Sequence, residues 1–452
     1  MADTHLTKTF ASAGNRKTFT ISVWLKQSQG AKTSTNFVLF SAGSASNTYG
    51  QIRLKSGYIQ LEDEQSGSVT ASPYTDAHFV DPSAWYHLVV RVDTTQSDAN
   101  SRVRFYRNGS LLAANGGSQP GQNQDLNINN NIGHAVGTLW RGSNSGGEWH
   151  GNMAQFIFCD GQSYAPSSFA TTDATGIWKP TYAPSITYGS NGFKLDFKGT
   201  GTSADASGFG ADTSGNNNHF ASNNLGTNPS SKDSPTNNFA TFNSQDTRAG
   251  GVSFSIANLK VVTSGSNRNY VTTTQAFTNG KWYMECRFTA GASNGYVGFC
   301  DMSDLQMTGT STLGDKSQEA RVNSDGSYEK NNSSTSGWAG SFTDNDVLGL
   351  CLDCDNKRFT LSKNGQFADG SGNYDEASPT AYISYTALTG FFNFAFGEGA
   401  GGATATIEIN TGNAPFTIAS ANADANGYGS FEYAVPSGYY ALCTKNMAQY
   451  GG

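Results

Sequence analysis

Two stretches decide how this chain reads: Tyr86-His87-Leu88-Val89-Val90-Arg91-Val92, then Val103-Arg104-Phe105-Tyr106-Arg107-Asn108-Gly109-Ser110. In the first, Tyr86, Leu88, Val90 and Val92 alternate with His87, Val89 and Arg91. In the second, Val103 and Phe105 alternate with Arg102, Arg104 and Tyr106. A period of two puts successive side chains on opposite faces and predicts half-buried strands. Asn-Gly tolerates positive φ at both central turn positions, so Asn108-Gly109 predicts a type I′ hairpin.

Working outward, Phe19, Ile21, Val23 and Leu25 repeat the alternation upstream. Far downstream the whole phrase recurs. Val347-Leu348-Gly349-Leu350-Cys351-Leu352-Asp353 is followed by a polar turn, then by Arg358-Phe359-Thr360-Leu361-Ser362-Lys363 and Asn364-Gly365. Each region also holds a Trp-Tyr pair, Trp85-Tyr86 and Trp282-Tyr283. His87 falls on the polar face of its strand, and Trp85 and Trp282 are expected in cores. No helical run of convincing length occurs.

Composition agrees with an all-β chain. Gly contributes 53 of 452 residues, which suits many turns, while 11 Pro exclude a collagen or a Pro-rich linker. Aromatics at 12% are enough to build cores. The net charge of −7 and the lack of a Lys/Arg cluster exclude a nucleic-acid footprint. No apolar run approaches the ~20 residues of a membrane span. Met1-Ala2-Asp3-Thr4-His5-Leu6 lacks a basic region and an apolar core, so no secretory signal is expected and the chain is expected in the cytoplasm where it is made.

The reading is two antiparallel β-sandwich, jelly-roll domains joined by a Gly/Asn/Ser-rich connection. Residues 1–198 form the first sandwich, 199–250 a polar linker or loop region, and 251–418 the second sandwich. Residues 419–452 form a C-terminal segment with an aromatic tail, read as a final strand, a docking segment or an anchor.

At this level the first half resembles a known family. Residues 6 to about 185 are similar to the concanavalin A-like, laminin-G-type jelly roll of many phage structural proteins. The motifs are Leu6-Thr7-Lys8-Thr9 with Ser12-Ala13-Gly14-Asn15-Arg16, Asp81-Pro82-Ser83-Ala84-Trp85-Tyr86-His87, Arg107-Asn108-Gly109, Gly147-Glu148-Trp149-His150-Gly151 and Tyr164-Ala165-Pro166-Ser167-Ser168-Phe169. The likeness extends through Asn191-Gly192-Phe193, Asp212-Thr213-Ser214-Gly215-Asn216 and Asp233-Ser234-Pro235-Thr236-Asn237-Asn238. Residues of about 252 to 412 resemble a SPRY-type sandwich, on Gly280-Lys281-Trp282-Tyr283-Met284-Glu285, Tyr296-Val297-Gly298-Phe299, Asp346-Val347-Leu348-Gly349-Leu350 and Leu361-Ser362-Lys363-Asn364-Gly365. The resemblance implies a binding or structural module, and in particular a virion component such as a tail fibre, head fibre or capsid decoration protein.

A glycosidase on this jelly roll needs Glu-x-Asp-x-x-Glu, because alternate strand residues share a face; Glu62-Asp63-Glu64 lacks the third member. HExxH does not occur, and no Gly-x-Ser-x-Gly elbow stands between a strand and a helix. The six cysteines fall on strand-like runs and read as reduced core residues, and Cys351 and Cys354 at i and i+3 point to opposite strand faces. Laminin-G-type folds often hold calcium at a loop rim, and Asp212, Ser214 and Asn216 have a spacing of hard oxygen ligands that suits it; a solvated turn is the alternative. Trp140, Trp149 and His150 are candidates for stacking on sugar rings, with packing as the alternative for Trp149 and His150.

The expected function is therefore non-enzymatic. The chain presents lectin-like sandwiches in a virion, in contact with other virion proteins and with copies of itself, for assembly or host-surface attachment. A glycan-binding receptor-recognition protein is the alternative, and a carbohydrate-active hydrolase is the second. Neither a nucleic-acid nor a membrane partner is expected.

Overall fold

A computed structural model of the chain describes residues 4–28, 36–226, 230–245, 252–264, 269–302, 313–386, 390–399 and 403–451. The chain divides into two compact units, Met1–Ser231 and Lys232–Gly452. Residues 199–250, which composition marks as a connection, are shared between them at this boundary. Ala221–Asn223 is a strand paired with His5–Thr9, so the polar stretch before Ser231 is woven into the first unit.

The first unit is two packed sheets. One has six strands, ordered Ser110–Leu111, Val103–Arg107, Tyr86–Asp93, Thr18–Gln27, Gly151–Asp160 and Phe193–Leu195. The other has nine and runs through Tyr58–Gln65, Thr48–Lys55, Asn36–Ala45, Gly133–Val136, His5–Thr9 and Ala221–Asn223. Their inner faces supply one core. Phe19, Ile21, Val23, Leu88, Val90 and Val92 from one sheet meet Phe40, Ile52, Leu54, Ile59 and Leu61 from the other. The alternation seen in the sequence is thus the inward and outward set of each strand.

The outward set is not left to solvent. Val89, Ile157 and Cys159 on the outer face of the six-stranded sheet pack with Phe169, and Tyr164, Ile186 and Tyr188 lie against them. Residues between 161 and 190 therefore form a third layer, stiffened by the two-stranded ladder of Ala170–Thr172 with Trp178–Pro180. His87, expected on a polar face, is fully buried beneath this layer. Sequence periodicity cannot show a cover contributed by a later segment.

The second unit repeats the plan. A ten-stranded sheet contains Thr404–Asn410, Lys281–Ala290, Val347–Asp353, Arg358–Lys363 and Gln366–Ala368 in that order, and a six-stranded sheet is built around Phe392–Glu398 and Gly295–Asp301. Trp282, Met284, Cys286, Leu348, Leu350 and Leu352 face Phe299, Phe394 and Phe396 across the core. On the outer face of the larger sheet, Tyr283, Cys351 and Phe367 pack against Phe239, Phe431, Tyr439, Ala441 and Cys443. The C-terminal segment supplies most of that layer. Tyr440–Ala441 adds to Lys281–Ala290 in parallel, and the chain closes with the short helix Thr444–Tyr450. The tail read as a strand, a docking segment or an anchor is thus packed on its own unit. Period-two reading gives no sign of this helix.

The two hairpins are built alike. Asn108 and Gly109 have φ of 48° and 84°, and Asn364 and Gly365 have 49° and 85°, as type I′ turns require. The Asn side chain extends the ladder past its last backbone pair. Asn108 N–H donates to His87 O, and His87 N–H donates to Asn108 Oδ1 at 2.8 Å. Asn364 N–H donates to Val347 O, and Val347 N–H donates to Asn364 Oδ1 at 2.9 Å. Ser56-Gly57 and Ser66-Gly67 form two further turns with positive φ at both positions. The Trp-Tyr pairs are not equivalent: Trp85 precedes the strand that Tyr86 begins, whereas Trp282 and Tyr283 both lie within Lys281–Ala290. Trp282 is core and Trp85 is half-buried.

All six cysteines are buried and outside any disulfide, with Cys351 in the outer layer and Cys354 in the inner core. Among the described residues, no helix is long and apolar enough to cross a membrane.

Each hairpin tip is also touched by its covering layer. A Cβ at Gly109 would lie 3.2 Å from the Trp178 ring, and one at Gly365 would lie 2.6 Å from Tyr433. Gly109→Val should cost on the order of 1 kcal/mol or more through its positive φ. Gly365→Val should cost more still, because it also displaces Tyr433. Thermal melts of both variants test the order, and unchanged melting would refute the turn assignment. Removal of residues 431–452 should expose Tyr283, Cys351 and Phe367 and give insoluble protein or a large fall in melting temperature. Unaltered melting of the truncated chain would show that the tail is not part of the fold.

Candidate functional site

In the first unit, the sequence candidates separate. Gly43 and Gly133 are directly opposite on neighbouring strands. A Cβ on Gly43 would come within 2.3 Å of the Trp140 carbonyl, and one on Gly133 within 2.2 Å of the Trp140 indole nitrogen. This glycine pair clears the sheet surface for Trp140, whose backbone N–H donates to Ser41 Oγ at 2.8 Å. Trp140 then walls a cavity of about 350 Å3 with Thr7, Lys8, Thr9, His134 and His219.

Trp149 and His150 are elsewhere. The Trp149 ring packs against the inner core, and His150 lies on Phe37 with ring centroids 5.2 Å apart. Both are packing residues at the start of Gly151–Asp160, so of the three sugar-stacking candidates Trp140 alone faces the cavity.

The proposed calcium ligands do not converge on a point. Asp212 Oδ1 accepts from the N–H groups of Lys194 and Ser214, at 2.9 and 2.8 Å, and Oδ2 accepts from Ser214 Oγ and Asn218 N–H, at 2.9 and 2.8 Å. Asn216 turns its amide NH2 outward from this carboxylate, to the carbonyls of Gly189 and Gly192. Four donors already occupy the Asp212 carboxylate, and among the described residues no group of three or more His, Cys, Asp or Glu side chains is placed to hold a metal. The motif locks a loop instead. Asp212 N–H donates to His219 Nδ1 at 2.9 Å, so the other ring nitrogen of His219 carries its proton when the ring is neutral. Lys8 Nζ donates to the His219 carbonyl at 3.4 Å. Burial lowers the Lys8 pKa from its ordinary value, and the Asp212 charge opposes that shift. The Asp212 loop thus holds His219, which lines the same cavity as Trp140. Lys8 and His219 were not singled out in the sequence, since a lone Lys on a strand and a lone His in a loop have no spacing signature.

On the Glu62-Asp63-Glu64 strand, Glu62 and Glu64 share one face, where the Tyr49 hydroxyl reaches both. Glu62 accepts from Arg53 at 2.6 Å, Gln51 at 2.8 Å and Tyr49 at 3.0 Å. The adjacent Asp63 points to the opposite face, where Asn127, Gln65 and Thr70 saturate it.

Two buried histidines fix their tautomers. Trp178 Nε1–H donates to His87 Nδ1 at 3.1 Å, so His87 Nε2–H donates to Ser22 Oγ at 2.8 Å. Asn129 N–H donates to His134 Nε2 at 3.0 Å, so Nδ1–H donates to the Ile132 carbonyl at 2.8 Å. Burial pushes the pKa of His87 down to about 3 and that of His134 to about 4.

The fold is that of two β-sandwiches, and the first of them, which carries this cavity, resembles a lectin-like module with a carbohydrate-binding or structural role. The model of the concanavalin A-like lectin/glucanases superfamily, a laminin G type, matches residues 2–161. Solved structures similar to parts of the chain include the SPRY domain of human HERC1, at 13% identity over 33% of this chain and 87% of that one, with a TM-score of 0.27. The PSpry domain of TRIM65 is 14% identical over 38% and 91%, with the same TM-score of 0.27. A heptameric SAP-like pentraxin from Limulus polyphemus is 16% identical over 36% and 72%, again at 0.27. No curated protein matches the chain.

The histidines set a pH dependence. Unfolded histidine takes up a proton near pH 6.5, whereas folded His87 and His134 do so only near 3 and 4. Stability is therefore present above pH 6.5 and falls as pH drops below it, by about 2 kcal/mol per histidine at pH 5. In the second unit, which has no His, burial raises Glu319 to about 7, and its contribution runs the other way: present below about pH 4.5 and lost as pH rises through 7. Hydrogen exchange at pH 5 and pH 7.5 should show the first unit loosening in acid and the region around Glu319 tightening. The same response in both units would refute the assignment.

Proposed function

We propose that the chain is a non-enzymatic structural protein of a bacteriophage particle, of tail-fibre, head-fibre or capsid-decoration type, made in the host cytoplasm and carried in the virion. One observation carries this reading. The motifs by which the first half resembles phage structural sandwiches are the residues the first unit uses to lock its own loops. Asp160 accepts from Asn15 and Asn191 backbone N–H groups and from the Asn129 amide, and Asp212 holds the wall of the cavity. Such side chains are spent on architecture, which suits a protein that works by presenting surfaces. Its partners on this reading are other virion proteins and further copies of itself, with strength supplied by repetition. Mass spectrometry of purified particles tests the proposal; particles that lack the chain, or polysaccharide cleavage by the pure protein, would overturn it.

The cavity beside Trp140 favours a receptor-recognition role within the same particle. An aromatic wall with Thr hydroxyls, Lys8 and His219 offers a ring face and hydrogen-bonding groups to a host-surface glycan. A glycan array probed with the full chain should give hits that Trp140→Ala weakens about tenfold or more, while Trp149→Ala lowers melting instead. Equal glycan binding by Trp140→Ala would remove this site.

A further inference from the structure

The second unit has a cavity of its own, of about 680 Å3, within the roughly 300–1,000 Å3 of small-molecule sites. It opens between tail residues 433–439 and the outer face of the ten-stranded sheet around Lys281, Arg358 and Phe367. Its floor is one cross-strand row, Lys281 beside Asp353 beside Arg358. These three alternate with the inward Trp282, Leu352 and Phe359, and so lie on the outer face.

Asp353 is fully buried and saturated. It accepts from Arg358 Nε at 3.0 Å and from the backbone and side chain of Asn356 at 3.0 and 2.9 Å, and Lys281 Nζ stands 3.4 Å away. Two cations against one carboxylate leave one positive charge, in a chain whose net charge is −7. The Arg358 guanidinium lies 4.1 Å from the centroid of the Tyr382 ring, which holds its plane. With Nε turned to Asp353, the two terminal nitrogens have no acceptor among the described residues.

The walls are flat and aromatic: Tyr382, Tyr433 and Tyr439, with Pro379 and Pro436. Tyr439 is 4% exposed, and its buried hydroxyl has no hydrogen-bond partner among the described residues. A buried hydroxyl without a partner costs free energy unless something else satisfies it. Gln366, Ser378 and Ser437 add polar groups to the lining.

From these observations we propose that this cavity binds a carboxylate-bearing saccharide, such as a uronic-acid disaccharide. The Arg358 fork receives the carboxylate in a bidentate pair, a tyrosine face supports the sugar ring, and the polar groups of Gln366, Ser378 and Ser437 meet ring hydroxyls. The planar fork selects a carboxylate over a neutral sugar. The mixed polar lining, in place of a deep apolar socket, selects a saccharide over a peptide side chain.

Calorimetry on the full chain tests this with digalacturonate, neutral galactobiose and a glutamate-rich peptide. Digalacturonate should bind about tenfold or more tightly than galactobiose, as expected for loss of a charged hydrogen-bonded pair. Arg358→Lys should weaken digalacturonate about tenfold with little change in melting, because charge and the Asp353 partnership remain while the fork is lost. Ala434→Trp, at an exposed position on the rim, should weaken it by filling the space. Trp140→Ala should leave it unchanged, which keeps this site distinct from that of the first unit. The proposal is overturned if digalacturonate does not bind at millimolar concentration, if galactobiose binds equally, if the peptide binds more tightly, if Arg358→Lys and Ala434→Trp both retain full affinity, or if Trp140→Ala abolishes binding.

Discussion

Buried carboxylates that accept backbone N–H groups hold this protein's outer layers in place. Glu285 lies on the outer face of the larger sheet of the second unit, fully buried. It accepts from the N–H groups of Tyr433 and Glu432 at 2.8 and 2.9 Å, and from Asn410 and Tyr283 side chains. Asp424 does the same within the tail, accepting from the N–H groups of Asn426, Tyr428 and Ala441 and from the Asn446 amide. A covering segment with little regular structure cannot satisfy its own N–H groups, and each left unpaired in the interior costs free energy. A carboxylate with several lone pairs answers that need from one point. Burial raises the Glu285 pKa, and the hydrogen bonds from Tyr433 and Glu432 pull against it.

This device explains why the two units share a plan despite different lengths of sheet. Each has an inner core between two sheets and an outer core between one sheet and a segment that follows it in sequence. Each has a hairpin whose Asn side chain extends the ladder and whose Gly admits an aromatic ring from the cover. The two cavities belong to the same logic. One forms where Trp140 rises over a glycine pair beside His219, and the other where tail residues 433–439 stand beside Arg358. Binding capacity lies at the margins of these covers.

Much of the site was hidden in the sequence for a definite reason. Trp140, Trp149 and His150 are the same kinds of residue in the same polar stretch, yet only Trp140 meets a surface from which both opposing side chains are missing. Asp212, Ser214 and Asn216 have ligand-like spacing, but whether such a carboxylate meets a cation or an N–H depends on Lys194 and Asn218 arriving from other turns. The Asp-x-Ser pattern that marks these turns, also present at Asp205-x-Ser207 and Asp325-x-Ser327, records the local half of the bond pattern and nothing of its distant partners.

By itself the sequence determined the strands, the Asn-Gly turns and the inner cores, because all of these follow from local φ preferences and a period of two. Tertiary structure alone decided what became of the outward faces. His87 and Tyr283 sit at positions that alternation assigns to solvent, and each is buried because a segment distant in the chain, around Trp178 in one unit and Phe431 in the other, folds back over it. Alternation along a strand reports two faces; which of them meets water depends on contacts made far along the chain.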